Sequence, residues 1–200
     1  YFEKEKNVER FEEIKKKYNI INKDLWEKLE KDLITRDELK VRRFKELFKV
    51  ANLSYNPEEF SSRYLERLGE GVFLFDGAED LCRYMKKKYK VAIVTNGIKE
   101  VQTSRIKNSG IAEYVDEIII SDELGISKPH PGIFEYALKK LRHENKNDVI
   151  MLGDSQTADI RRGINFGIDT CWINLVGRKE NENIKATYKV DTIEELYKII

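Results

Sequence analysis

Two aspartates, Asp154 and Asp159, follow an apolar run at residues 149–152 that is typical of a buried parallel strand. In an open α/β sheet, carboxylates on the loop between a strand and the next helix are well placed to bind magnesium. Magnesium prefers oxygen ligands and is usually held by one or two carboxylates together with a substrate phosphate. The same pattern also fits a solvated turn in which one aspartate caps the helix, so this motif alone leaves both interpretations open.

A second apolar run, residues 91–94, ends in Thr95, Asn96 and Gly97, and Lys128 follows later in a proline-containing loop. The Thr95 hydroxyl can donate to a phosphate oxygen, and an Asn-Gly turn can present backbone N–H groups to an anion. The positive charge of Lys128 could neutralise an acidic nucleophile and a phosphoryl group. Each motif is weak alone, because it could be a turn or a solvated charge. Their order after successive strands predicts a phosphate site.

With these motifs, the chain resembles the haloacid dehalogenase superfamily of hydrolases with a helical cap, nearest the bacterial pyrimidine 5′-nucleotidases. The superfamily's second motif, a strand ending in Thr or Ser, matches at Thr95, and its third, a lysine before proline, matches at Lys128. The fourth, an acidic pair after glycine, matches at Asp154 and Asp159. The similarity continues beyond the motifs, through residues 163–168 and 171–174.

The resemblance implies a Rossmannoid parallel α/β sheet with a helical-bundle cap, and a cytoplasmic phosphatase that needs Mg²⁺. Asp154 would be a metal ligand, and Asp159 would bind the metal directly or orient a bound water. Thr95, Asn96 and Lys128 would hold the phosphoryl oxygens, with Gly97 allowing close approach. The implied substrate is a small phosphorylated metabolite such as a nucleoside monophosphate, and the implied reaction proceeds through an aspartyl-phosphate.

The superfamily's first motif, Asp-x-Asp at the end of a strand, occurs nowhere in these 200 residues. Its two aspartates would be the nucleophile and the general acid/base. The resemblance places the missing strand in the middle of the sheet, between the strands ending at Thr95 and Gly153. Loss of a central strand would leave two rows of backbone groups unpaired. We therefore expect residues 1–200 to lack a short amino-terminal segment, without which the chain would be inactive.

Two other functions stay open at this stage. A 2-haloacid dehalogenase of the same fold would use an aspartate nucleophile without metal, although it would have no need of the Asp154 and Asp159 pair. If the 200 residues are complete, the chain would instead be a catalytically inactive binding protein. Fold alone does not identify the substrate, and the sequence leaves the oligomeric state open.

Composition narrows the range of partners. The net charge is +1, so no overall field attracts nucleic acid, and no apolar run approaches the length that spans a bilayer. The two cysteines, Cys82 and Cys171, lie in apolar stretches and are expected to be reduced and buried. Trp26 and Trp172 are expected in the core, because aromatic residues at helix or strand spacing usually pack there.

Helical patterns fill residues 1–72, and apolar runs alternate with helical patterns over residues 73–200. We expect a cap of four short amphipathic helices in the first part and the α/β core domain in the second. Thr35 to Glu38 forms a capping-box pattern, and residues 181–185 look like a plain polar loop.

Several charged residues have functional interpretations that compete with simpler ones. Arg43 could reach a substrate from the cap, but a solvated arginine is the simpler expectation. Asp122 and Glu123 could hold Lys128 in place. His130 has no partner cluster in the sequence that would make it a base or a metal ligand.

Overall fold

The computed structural model describes residues 8–31, 33–121 and 132–200. Its contacts separate two compact units, Tyr1–Gly69 and Glu70–Ile200. In the described residues, no helix is both long and apolar enough to cross a membrane.

The first unit is helical, with α1 at Val8–Glu30, α2 at Arg36–Ala51 and α3 at Pro57–Glu70. The predicted capping box starts α2: Thr35 Oγ1 accepts the Glu38 N–H at 3.2 Å, and Glu38 Oε2 accepts the Thr35 N–H at 2.7 Å. The helix ends at Asn52, whose φ of 52° is left-handed and stops the helical hydrogen bonding.

The expectation of four short helices in this part of the chain is wrong for the described residues, which form three. The apolar groups around Tyr18 and Leu25 share one 23-residue helix, α1. No glycine or proline separates these groups in the sequence, so nothing interrupts the backbone hydrogen bonds of the helix. Leu33 lies beyond the helix and is 68% exposed.

Aromatic side chains form the main core of the first unit. Phe44 is 1% exposed, and its ring centroid lies 4.9 Å from that of Phe60 and 5.1 Å from that of Tyr64. A cavity of about 630 Å³ lies beside these rings and is also lined by Tyr18 and Leu47. Contacts between aromatic rings therefore account for much of the packing between the helices.

Arg43 is buried within this aromatic core, so the expectation of a solvated arginine is wrong. The residue is 2% exposed, and its guanidinium lies 5.0 Å from the Phe44 ring centroid and 4.9 Å from that of Tyr64. The reason lies in helical spacing. Arg43 falls four residues after Leu39 and four before Leu47, so α2 turns it to the same buried face.

The second unit contains two parallel sheets, which confirms the predicted α/β class. In the first sheet, β1 at Ala92–Thr95 pairs with β2 at Glu117–Ile120. In the second, β3 at Ile150–Gly153, β4 at Asp169–Ile173 and β5 at Tyr188–Val190 lie in the order β3-β4-β5. Helices connect β1 to β2 and β3 to β4, whereas β4 and β5 are connected by an irregular segment at residues 174–187.

Helices cover these sheets. They are α4 at Ala78–Lys86, α5 at Lys99–Asn108, α6 at Gly132–Lys140, α7 at Arg161–Phe166 and α8 at Ile193–Leu196. Ile119 of β2 packs with Ile133 and Phe134 of α6 in one core cluster. Cys171 of β4 packs with Leu81 and Leu196 in another.

The predicted burial of Trp172 is confirmed, since it is 2% exposed, and Trp26 is partly buried against a smaller cluster in the first unit. Cys171 is fully buried, whereas Cys82 is only partly buried. Both thiols are free.

A cleft separates β1 from β3. A cavity of about 550 Å³ is lined by Ile93 and Val94 of β1 and by Ile150 and Leu152 of β3. A second cavity of about 420 Å³ is lined by Val94 and Ile150 together with side chains of α6. The cleft lies where the resemblance places a central strand, and that strand stays a prediction.

Candidate active site

The loop after β3 carries the two predicted metal ligands. Ser155 has extended backbone dihedrals, and its Oγ accepts the Ala158 N–H at 3.0 Å. This cap starts a π-helical turn at Gln156–Ile160 that leads directly into α7. Asp154 thus precedes the cap, while Asp159 lies on the wide turn, a conformation that is frequent at functional sites.

Asp159 is the buried member of the pair, with 8% exposure. Its Oδ2 accepts the Ser155 N–H at 3.2 Å, which ties the carboxylate to the loop beside Asp154. The side chain packs directly against Gly153, where an added Cβ would lie 2.8 Å from Asp159 Oδ2. The glycine of the motif therefore provides the space that the second aspartate occupies.

Asp154 is the exposed member, and its side chain is 65% accessible. The backbone carbonyl oxygen of Asp154 accepts two hydrogen bonds at 3.1 Å. One comes from Nε1 of Trp172 in β4, and the other comes from Nη1 of Arg178, which follows β4. Arg178 also forms an ion pair with the carboxylate, with 2.9 Å between Nη2 and Oδ2.

Gln156 fastens the same loop to the chain beyond β4. Its Nε2 donates to the carbonyl oxygens of Asn181 at 3.3 Å and Ile184 at 3.1 Å, and its Oε1 accepts the Asn181 N–H at 2.7 Å. Residues 181–185 form a loop, as predicted, but the loop also has a structural role that the sequence pattern did not indicate. This segment supports the loop that carries the aspartates.

Thr95, Asn96 and Gly97 lie directly after β1. Gly97 donates its backbone N–H to Thr95 Oγ1 at 3.1 Å, so this N–H is used within the turn. Because that bond occupies a lone pair of the Thr95 oxygen, the hydroxyl hydrogen can still donate to another group. An added Cβ at Gly97 would lie 2.4 Å from Gln102 Cγ, so the glycine also provides space for a side chain of α5.

The predicted site residues after β1 and β3 do not themselves line the described cavity between these strands, but the residues that precede them do. Val94 and Leu152, which immediately precede Thr95 and Gly153, line the same cavity of about 550 Å³. Lys128, His130, Asp122 and Glu123 lie outside the described residues.

A profile described as haloacid dehalogenase-like hydrolase matches residues 1–167. The chain belongs to this family of hydrolases. The predicted resemblance to the superfamily is thereby confirmed.

Individual relatives show how far the similarity extends. The HAD-hydrolase YfnB of Bacillus subtilis is 33% identical over 196 residues, which cover 98% of this chain and 83% of YfnB. The pyrimidine 5′-nucleotidase YjjG of Escherichia coli is 32% identical over 183 residues, covering 92% of this chain and 80% of YjjG. The similarity to each therefore runs through both units.

Solved structures agree with the fold. A crystal structure of YfnB bound to magnesium superimposes with a TM-score of 0.86 at 34% identity, covering 94% of this chain and 82% of that one. A crystal structure of a dehalogenase gives a TM-score of 0.76 at 22% identity, covering 94% of this chain and 84% of that one. The second similarity shows the fold alone.

The donor atoms of this HAD-family chain fit a magnesium ion. No group of three or more His, Cys, Asp or Glu side chains within residues 8–31, 33–121 and 132–200 is arranged to hold a metal. The loop after β3 instead offers the exposed carboxylate of Asp154 and the buried one of Asp159, both hard oxygen donors. Magnesium typically takes one or two carboxylates and completes its shell with water and substrate phosphate.

Sequence reasoning missed Arg178 and Gln156. Both act through long-range bonds that no local motif encodes, since Arg178 lies 24 residues from Asp154, and Gln156 lies 25 from Asn181. Trp172 was expected only in the core, and the structure gives it a hydrogen bond to Asp154 as well. An indole N–H needs a partner when it is buried, and this requirement was the one available signal.

Proposed function

We propose that this HAD-family hydrolase is a magnesium-dependent phosphomonoesterase that acts on a small phosphorylated metabolite. The observation that carries the proposal is the loop after β3, where Asp154 is exposed and Asp159 is buried behind it. Val94 and Leu152, which precede Thr95 and Gly153, line one cavity, and we propose that the carboxylates and the Thr95 hydroxyl act on the same phosphate group.

The proposed site residues fall into one group that would bind the metal and another that would bind the phosphate. Asp154 would hold the ion through its carboxylate, and Asp159 would fix the loop and contribute a second oxygen. Thr95 would donate its hydroxyl to a phosphoryl oxygen, and Asn96 and Lys128 would hold the others. Magnesium, when bound, would reduce the repulsion between an anionic nucleophile and the phosphate.

In the proposed reaction an aspartate carboxylate attacks phosphorus, and the bond from phosphorus to the substrate alcohol breaks as the aspartyl-phosphate forms. Water then hydrolyses the aspartyl-phosphate and releases inorganic phosphate. We place the nucleophile and the general acid/base on a strand from outside residues 1–200 that inserts between β1 and β3. The cleft there has apolar walls from both strands, including Ile93 and Leu152. A strand in this cleft would satisfy the backbone groups along the facing edges of β1 and β3.

The names of the relatives suggest the class of the substrate. YjjG is a pyrimidine 5′-nucleotidase, so we propose a nucleoside monophosphate as the substrate. We also propose that the protein acts in the cytoplasm, where the free thiols of Cys82 and Cys171 would stay reduced. Proteins that share one fold can act on different substrates, so the substrate must be identified from the residues of the site and not from the fold.

The test measures phosphate release by the full-length protein from a panel of nucleoside and sugar monophosphates, with magnesium or with a chelator. We expect turnover that requires magnesium and that falls by about two orders of magnitude or more in Asp154→Asn, since metal charge stabilisation supplies several kcal/mol. Glu144→Gln, an exposed acid in the loop after α6 that has no part in the proposed site, is the matched control.

Two results would overturn the proposal. One is full activity in Asp154→Asn, and the other is turnover that the chelator leaves unchanged. Release of halide from a 2-haloacid without metal would instead identify a dehalogenase.

A further inference from the structure

Arg178 contacts Asp154 with both arms of its guanidinium. Nη1 donates to the backbone carbonyl oxygen at 3.1 Å, and Nη2 lies 2.9 Å from the carboxylate oxygen Oδ2. A planar guanidinium can make two such bonds at once, whereas an ammonium acts as a single point charge. One cation of the protein itself thus already occupies one oxygen of the proposed metal ligand.

A well-defined turn places Arg178 there. Asn174 is 8% exposed, its Oδ1 accepts the Arg178 N–H at 2.7 Å, and its Nδ2 donates to the Arg178 carbonyl oxygen at 3.1 Å. Gly177 has a φ of 64°, a conformation that favours glycine, and its N–H donates to the Asn174 carbonyl at 3.2 Å. The buried side chain of Asn174 therefore fixes the backbone position of Arg178.

The carbonyl oxygen of Asp154 does not depend on Arg178 alone, because Trp172 Nε1 donates to it as well. The contribution specific to Arg178 is its contact with the carboxylate. The 2.9 Å contact of the ion pair is made to Oδ2, so we expect Oδ1 to remain available to a cation.

We propose that Arg178 is a positioning residue that competes with magnesium for Asp154 and so weakens the metal affinity of the site. This inference rests on the proposed function, because it assumes that Asp154 holds the ion. The physical reason is the fixed positive charge next to the carboxylate, which a divalent cation must approach or displace. Both side chains are more than half exposed, at 52% and 65%, so water screens the effect and keeps it modest.

The experiment titrates magnesium into the full-length protein and follows tryptophan fluorescence, because Trp172 Nε1 donates to the Asp154 carbonyl oxygen and should respond to a change at this residue. We expect Arg178→Gln to lower the dissociation constant for magnesium about two- to fivefold at low ionic strength, the range of an exposed ion pair. Added monovalent salt should reduce the difference, because exposed charges are screened. Circular dichroism checks that the fold is kept.

Lys179→Gln is the matched control, because it removes the same charge from the next residue, which is also exposed. We expect it to leave the dissociation constant within about 1.5-fold of the wild-type value, below the effect of a direct ion pair. Arg178→Lys keeps the charge but not the two-armed contact, and we expect an affinity between those of wild type and Arg178→Gln.

The outcomes separate the two proposals. If wild type binds magnesium and Arg178→Gln binds it equally or more weakly, competition by Arg178 is refuted and the proposed function stands. An equal gain in Lys179→Gln would also refute it, by showing a general effect of charge. If neither wild type nor Arg178→Gln binds magnesium at millimolar concentration, both proposals fail.

Discussion

Gly153 and Asp159 pack so closely that an added Cβ at position 153 would lie 2.4 Å from the Asp159 Cβ. Real Cβ atoms do not approach each other to this distance, and the Asp159 Cβ is attached directly to the backbone of the π-helical turn. The end of β3 and the second aspartate therefore form one packed unit. The first aspartate, Asp154, is the residue that follows this contact.

Gly153→Ala should disrupt the site as well as the packing. Relief of the clash requires the turn that carries Asp159 to shift, so we expect a loss of about 1–3 kcal/mol in the free energy of unfolding. We also expect weaker magnesium binding, because the loop moves with the turn. Urea denaturation and a magnesium titration of the full-length protein measure the two effects.

Gly97→Ala is the control for this substitution. Its Cβ would meet the side chain of Gln102, also at 2.4 Å, but that side chain is flexible and can move away. We expect a change of less than about 1 kcal/mol in the free energy of unfolding, typical of a tolerated substitution. Equal destabilisation by the two alanines would contradict our account of Gly153.

Local patterns were sufficient to predict the strands and the start of α2. The apolar run before Gly153 became β3, and the capping box at Thr35 and Glu38 has both expected hydrogen bonds. These features depend on residues within a few positions of each other. The position of Arg178 depends instead on a turn in which Asn174 Oδ1 accepts the Arg178 N–H. It also depends on the ion pair with Asp154, which follows the neighbouring strand. The amino-acid composition of this turn does not indicate where the Arg178 side chain lies.

Arg43 is an intermediate case. Its spacing from Leu39 and Leu47 places it on the buried face of α2, and this could have been recognised in the sequence. The preference of arginine for solvent argued the other way. The aromatic rings favour burial, because the Phe44 and Tyr64 ring centroids lie 5.0 and 4.9 Å from the guanidinium, close enough to stabilise a cation.

Arg43→Met should leave the first unit at least as stable as the wild type. In the described residues, Arg43 Nη2 is buried without a hydrogen-bond partner, and an unsatisfied buried donor is destabilising by about 1–3 kcal/mol. Methionine keeps the length of the side chain and its packing against the rings. We expect the free energy of unfolding to rise or to change by less than about 1 kcal/mol in chemical denaturation.

Arg43→Ala is the companion variant. It removes the same charge but leaves a cavity in the aromatic core, so we expect a loss of about 2 kcal/mol or more. If methionine proves as destabilising as alanine, the hydrogen bond from Arg43 Nη1 to Asn22 of α1 contributes to the packing of α1 against α2.

The thiol of Cys171 should make stability depend on pH in the alkaline range. Burial raises the pKa of this thiol from its ordinary value of 9.0 to about 11. The unfolded thiol ionises first as the pH rises, which favours the unfolded state. The stability that comes from keeping the thiol neutral is therefore fully present below pH 9 and is lost as the pH approaches about 11.

Comparison of wild type with Cys171→Ala isolates this contribution, because other groups that titrate at high pH are common to both. We expect the free energy of unfolding of the wild type to fall more steeply than that of the variant between about pH 9 and 10.5, in urea denaturation. Cys82→Ala is the control. Burial and the Glu79 carboxylate raise the pKa of Cys82 as well, but this thiol is only partly buried, so its effect should be smaller. Identical pH profiles for wild type and Cys171→Ala would show that the Cys171 thiol reaches water in the folded protein.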